Sequence, residues 1–216
     1  MTKRVIGAAA AAGALFAAGC SGRNAANEAN FKAAINEGVK TQKACLSLDG
    51  PIANLSQGIP VLPAQNHASD QQIIAQKPLL KALDHVGLVT LQVVYRQQPG
   101  LPMFGSYKAP YITVGVTDKG KPYFQNRSDT GPALCFGRFV VDSIDRFSQP
   151  ASAMGHMVSQ VKYTGHLEDL PDWTHAPELT AQSDWLRKIT SPQKYSDKTV
   201  LILTNKGWED QRVAGF

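Results

Sequence analysis

Long apolar runs are almost missing from this chain. In 216 residues, only Val5 to Ala18 is continuously apolar or small. That run is shorter than the ~20 residues a membrane-spanning helix needs, and nothing after residue 20 comes as close. Cysteine is scarce, with three residues, and no C-x-x-C spacing occurs, so a thiolate metal site is not expected. No basic run exceeds two residues, as at Arg187-Lys188, which removes the electrostatic footprint of a nucleic-acid binder. The chain also lacks a G-x-S-x-G elbow, a phosphate-cradling glycine loop and an H-E-x-x-H pair. These absences argue against a metal or cofactor and leave no obvious catalytic constellation.

Lys3 and Arg4 precede the apolar run, which ends Leu15-Phe16-Ala17-Ala18-Gly19-Cys20. A short basic start, a run of this length and small residues before a cut are the architecture of a cleaved leader, which takes no part in the fold. The stretch resembles the signal peptide of bacterial lipoproteins, with Ala17 where leucine is usual. The resemblance implies cleavage before Cys20 and acylation of its thiol with three chains. That is a stable membrane anchor, because two or more chains hold where one does not. Ser21, in place of an aspartate, implies the outer membrane, with the protein facing the periplasm. An ordinary secretory leader with a chance cysteine is the alternative. Removal of Lys3 and Arg4 leaves 20 basic against 17 acidic residues, a small excess.

Lipidation of Cys20 leaves Cys45 and Cys135 as an even pair in an oxidising compartment, so a disulfide between them is expected. Closing so long a loop constrains the unfolded chain by about 4–5 kcal/mol in the chain-entropy account. Two separate buried thiols are the alternative.

The organisation reads as a signal peptide (1–19), a lipid-anchored tether (20–30) and a single α+β domain (31–216). A division of that domain into 31–128 and 129–216 is the alternative. Residues 21–30 carry no large apolar side chain, and a flexible tether of that length reaches ~18 Å. Phe31, Ile35 and Val39 recur at a spacing of four, predicting a helix over 28–44 weakened by Gly38. Ser69 and Gln72 fit a capping box. Pro78 opens a second helix, with Leu79, Leu80, Leu83 and Val86 on its apolar face and Gly87 at its end. Strands follow at 88–95 and 111–117. This helix–helix–strand–strand order is similar in outline to a winged-helix module over 69–125. DNA binding does not carry over, since the helices hold few basic residues.

After residue 130 the pattern is antiparallel sheet. From Met157 to Leu167 apolar and polar residues alternate, as in a strand with one buried face. The run 134–147 reads as a partner strand or a helix, and 198–204 as a further strand. The phrases Val116-Thr-Asp-Lys-Gly120 and Leu203-Thr-Asn-Lys-Gly207 echo each other, each predicting a turn with glycine at positive φ.

Two S-x-x-K strings occur, at Ser159/Lys162 and Ser191/Lys194. In penicillin-binding enzymes that spacing lets the lysine activate the serine on one helical turn. Here the first lies in a strand pattern, which sends the two side chains to opposite faces, and the second contains Pro192. The densest polar stretch is 166–178. Its candidate partner-binding residues are His166, Glu168, Asp169, Asp172, Trp173 and His175, on a recognition loop or on a solvated loop pinned by Trp173. Trp185 and Trp208 read as packing residues.

The expectation is therefore a non-enzymatic cell-envelope lipoprotein that binds a periplasmic or outer-membrane protein, for instance as an inhibitor or immunity protein, with no nucleic-acid partner. The alternative is an envelope hydrolase acting on peptidoglycan or lipid, which would pair Glu168 with Asp172 or Asp184. A purely structural role is a third reading.

Overall fold

Residues 22–48, 55–61, 68–99, 105–127, 131–153 and 155–215 are described by a computed structural model. The stretch expected to be a signal peptide (1–19), Cys20 and Ser21 lie outside them. Helix α1 (Glu28–Val39) starts where the Asn27 side chain accepts the Asn30 N–H, as an N-cap should. Phe31, Ala34, Ile35, Gly38 and Val39 are buried, as the spacing of four predicts. The helix ends at Val39, short of the predicted 44; residues 40–43 turn, with the Gln42 N–H on the Val39 carbonyl, and lead into strand β1 (Ala44–Ser47). The segment read as a tether is partly folded. Asn30 Nδ2 donates to the carbonyls of Gly22 and Ala25, and the Trp208 indole donates to the carbonyl of Asn24.

A 3-10 turn (Leu55–Gln57) leads into β2 (Ile59–Pro60), then α2 (Asp70–Ile74) and α3 (Pro78–His85). The Ser69–Gln72 capping box is present in both directions. Pro78 sits in the first turn of α3, where a missing N–H costs nothing. The end of α3 is a Schellman motif. Gly87 has φ 76°, its N–H reaches the Asp84 carbonyl, and the Leu88 N–H reaches that of Leu83. Leu83 and Leu88 are both fully buried. The hairpin of β3 (Val89–Gln98) and β4 (Tyr107–Val116) follows, and the sheet order is β2-β4-β3.

Strands β5 (Phe124–Arg127) and β6 (Gly131–Phe136) join β1 in a second antiparallel sheet ordered β1-β6-β5. Cys45 faces Cys135 directly in this register, and the two form a disulfide across 90 residues of sequence. The third sheet holds β7 (Arg138–Phe147), β8 (Ala151–Ala153) and β9 (His156–Glu168). After a 3-10 turn (Asp172–His175), α4 (Pro177–Thr180) and α5 (Asp184–Ile189), it is completed by β10 (Tyr195–Thr204) and β11 (Gly207–Asp210). Its order is β11-β10-β9-β7, with β8 also paired to β9. The protein is thus mixed α+β with antiparallel sheets.

The run 134–147 is neither one strand nor a helix. Gly137, at φ 67°, turns the chain between β6 and β7, which serve different sheets. The echo at residues 120 and 207 also divides. Gly207 takes φ 109° in the β10–β11 hairpin. Gly120 is not at positive φ. It is needed because a Cβ there would stand 2.1 Å from the Leu88 carbonyl oxygen.

Two cores result. One gathers Leu46, Ile73, Leu83, Ile112, Phe136 and Trp173 between the first two sheets and the short helices. The other packs α1 on the third sheet through Phe31, Ile35, Val161, Tyr163, Leu201 and Trp208. Phe31 meets Phe147 and Trp208 edge-on at 4.9 and 5.0 Å. The cores interleave in sequence, so a cut at 128/129 does not separate them. Strand β9 belongs to both, giving Val161 and Tyr163 to one and Leu167 to the other.

Candidate functional site

Alternation along β9 decides which residues face outward. Ser159, Val161, Tyr163, Gly165 and Leu167 are buried, so Gln160, Lys162, Thr164, His166 and Glu168 form the outer face. His166 and Glu168 are therefore strand residues, not loop residues as the polar run suggested. Ser159 is fully buried while Lys162 is exposed, so the S-x-x-K pair is split across the sheet as the pattern required.

Strand β7 lies beside β9 with register shifts between Val141 and Ser143 and between Ile144 and Arg146. Each shift is an extra residue, and each extra residue is an aspartate. A bulge re-aims the side chain it carries. Asp142 is aimed at His166, with Oδ1 3.0 Å from Nδ1, and its Oδ2 lies 3.4 Å from Lys194 Nζ. Asp145 accepts from the Thr164 hydroxyl at 2.9 Å. Burial works to raise the Asp142 pKa, but hydrogen bonds and charge from His166 and Lys194 outweigh it and hold the carboxyl below its ordinary value. An ionised carboxylate only accepts, so the proton in the Asp142–His166 bond sits on Nδ1. The other ring nitrogen is 3.4 Å from Glu168 Oε1. Arg138 closes the chain of charges, with NH2 at 2.5 Å from Glu168 Oε2 and Nε at 3.4 Å from Asp169 Oδ2. Asp169 has φ 56°, the one non-glycine positive φ among the described residues.

A cavity of about 270 Å³ opens beside this network, lined by His166, Trp185, Lys188, Ile189, Lys194 and Tyr195. Trp185 touches Phe136 edge-on at 6.2 Å yet remains 43% exposed, an aromatic face standing at the rim. The Tyr195 hydroxyl is buried with no hydrogen-bond partner, and burial, reinforced by Tyr163 and Asp197, pushes its pKa well up. The space is close to the lower end of small-ligand pockets, about 300 Å³. It fits one side chain or one ring, with a tryptophan to stack on and two lysines for an anion.

The six predicted site residues part company. His166, Glu168 and Asp169 join the charged network. Asp172 and His175 are exposed on the 3-10 turn. Trp173 is withdrawn into the core, 5% exposed and edge-on to Phe136 and Tyr123 at 5.0 and 5.5 Å, so it is no surface contact. Its large apolar ring is the cue for burial. Sequence reasoning missed Arg138, Asp142, Trp185, Lys188 and Lys194. Only Trp185 and Lys188 share a local spacing, three apart on α5; the others join them through strand register and the packing of that helix. Among the described residues no group of His, Cys, Asp or Glu is placed to hold a metal, and no helix is long and apolar enough to cross a membrane. Comparison of the chain with protein-family models, with curated proteins and with solved structures finds no match.

Proposed function

We propose that this chain is a bacterial envelope lipoprotein whose α+β domain binds a partner protein through the outer face of its third sheet. The observation that carries the binding reading is the exposed Trp185 at the mouth of a cavity flanked by His166, Lys188 and Lys194. A large aromatic held at a concave, charged rim is the composition of a binding hot spot. The Cys45–Cys135 disulfide supports an oxidising compartment, and the leader ending at Cys20 supports the anchor. Glu168 argues against a hydrolytic role for this face, because both its oxygens are committed to Arg138 and His166. The partner is an envelope protein that inserts an acidic or aromatic side chain beside Trp185, as an inhibited enzyme or a neutralised toxin would.

The folding of residues 22–30 shortens the tether. Only Ser21 separates Cys20 from Gly22, a reach of about 7–8 Å at 3.8 Å per residue. A lipidated chain would therefore hold its domain against the outer membrane with little freedom. The order β2-β4-β3, with α2 and α3 inserted between β2 and β3, supports a winged-helix-like arrangement used here as scaffold.

Intact mass of the mature protein tests the anchor, with three acyl chains on Cys20 expected. A photo-crosslinker placed at Trp185 in the full chain tests the binding. One discrete adduct in native envelopes is expected, diminished by Lys194→Glu. Crosslinking no stronger than at the distant, exposed Tyr107 would remove this face from consideration.

A further inference from the structure

Farther along the same outer face, Arg146, Lys162 and Lys198 stand in one row. Arg146 faces Lys162 across β7 and β9, and Lys162 faces Lys198 across β9 and β10. Three cations thus occupy directly opposed positions on three adjacent strands, with neighbouring strands about 4.8 Å apart. Like charges placed opposite each other destabilise a sheet. Around His166, the cations Arg138 and Lys194 and the imidazole itself are each paired with a carboxylate, whereas Arg146, Lys162 and Lys198 are not. Among the described residues, the side chains of Arg146, Lys162 and Lys198 form no hydrogen bond or ion pair. The nearby carboxylates are committed elsewhere. Asp145 takes the Thr164 hydroxyl, and Asp197 takes the Tyr163 hydroxyl and the Lys198 N–H.

The row lines a depression of about 580 Å³, shared with Phe147, Ser148, Gln160, Ser196 and Asp197, the one carboxylate in its wall, which accepts from the Tyr163 hydroxyl and the Lys198 N–H. We propose that this depression is a binding site for a compact, multiply charged phosphate group. Lysine ammoniums bind phosphate as point charges and arginine adds a forked donor. A linear oligophosphate has the charge density to meet three cations spread over about 10 Å. A concave depression suits a discrete group entering it rather than the plane of a bilayer. The site is separate from the Trp185 cavity, and its existence does not depend on a lipid at Cys20.

The test is titration of inorganic tripolyphosphate into the full chain by calorimetry at low and physiological salt. Saturable binding that weakens with salt is expected. Lys162→Gln should weaken it about tenfold or more, since it removes the central charge-assisted contact. The same substitution should raise the melting temperature of the free protein by about 1–3 °C, because it relieves the repulsion on both sides. Lys206→Gln, in the β10–β11 turn, should change neither. No saturable binding, or equal binding by wild type and Lys162→Gln, would overturn the proposal. So would attachment to phosphatidylglycerol vesicles, beyond that to phosphatidylcholine ones, without tripolyphosphate binding. A correctly melting Lys198→Gln variant that keeps full affinity would also overturn it.

Discussion

Gly38→Ala sets two effects against each other, and the structure decides the sign. In an exposed helix interior, alanine is better than glycine by about 1 kcal/mol. Gly38 is not exposed. It lies on the buried face of α1, where a Cβ would stand 2.5 Å from the Asp210 Cβ and 2.7 Å from its Cγ. Such a contact forces either α1 off the sheet or Asp210 out of its place. Asp210 has no freedom to move. It is fully buried in β11, and Arg212 holds its carboxylate through Nε at 2.7 Å and NH2 at 2.6 Å. The Arg212 backbone N–H adds a third bond to the same carboxylate at 2.9 Å. The hydrogen bond to Asp210 also raises the Arg212 pKa, so the pair stays charged.

Overpacking a filled core costs about 1–3 kcal/mol, and breaking a buried ion pair costs about 3–5 kcal/mol. The helix will therefore shift before the pair breaks; a carbon–carbon approach of 2.5 Å puts the cost in the upper part of that range, about 2–3 kcal/mol, and the net loss after the propensity gain of about 1 kcal/mol is about 1–2 kcal/mol. At a urea slope of about 2 kcal/mol/M, the unfolding midpoint falls by about 0.5–1 M with the slope unchanged. Glu37→Ala, on the exposed side of the same helix, should stay within about 0.5 kcal/mol of wild type. If Gly38→Ala is as stable as wild type or more so, the close approach of α1 to β11 is wrong. The role of Gly38 would then be only the helix weakness its propensity suggests.

Other consequences can be measured on the same chain. Replacing Cys45 and Cys135 by alanine should cost about 4–5 kcal/mol in urea unfolding, and dithiothreitol should bring wild type to the same midpoint. Trp173→Ala should cost about 3–5 kcal/mol, as expected for a core residue and not for a surface contact. Asp142 has a lowered pKa, so its contribution is present above the ordinary aspartate range and lost as pH falls through the folded value. Asp142→Asn should therefore flatten the stability profile below about pH 4, and a wild-type carboxyl resonance titrating at or above the ordinary value would refute the His166–Lys194 pairing.

What the sequence made legible was local. The Ser69–Gln72 box, Pro78 and Gly87 mark their helix ends because caps use residues within four positions of each other. The buried stripe of α1 and the alternation of β9 are legible for the same reason, since period alone carries them. The cysteine pair was reached by counting, and strand pairing then placed the two residues face to face. The tether was misjudged because small polar residues carry no apolar signal, yet their backbone and amide groups bond to Trp208 and to one another.

The charged face shows where local reading stops. His166 and Glu168 were noticed because they stand in one polar run. Their partners come from elsewhere in the chain, Arg138 and Asp142 from β7 and Lys194 from the segment just before β10. The two bulges matter most. Without the extra residue at Asp142, strict alternation from the buried Val141 would still turn residue 142 outward, but with no shift it would pair one step along β9 and miss His166. Register likewise creates the row of cations. Arg146, Lys162 and Lys198 are unremarkable singly and scattered in sequence, and only antiparallel pairing makes them neighbours. A charge pattern that costs stability and is invisible to local sequence reading points to a ligand more strongly than a charge run would. A run is spread over solvated loops, whereas this row is fixed in place by the hydrogen bonds of three strands.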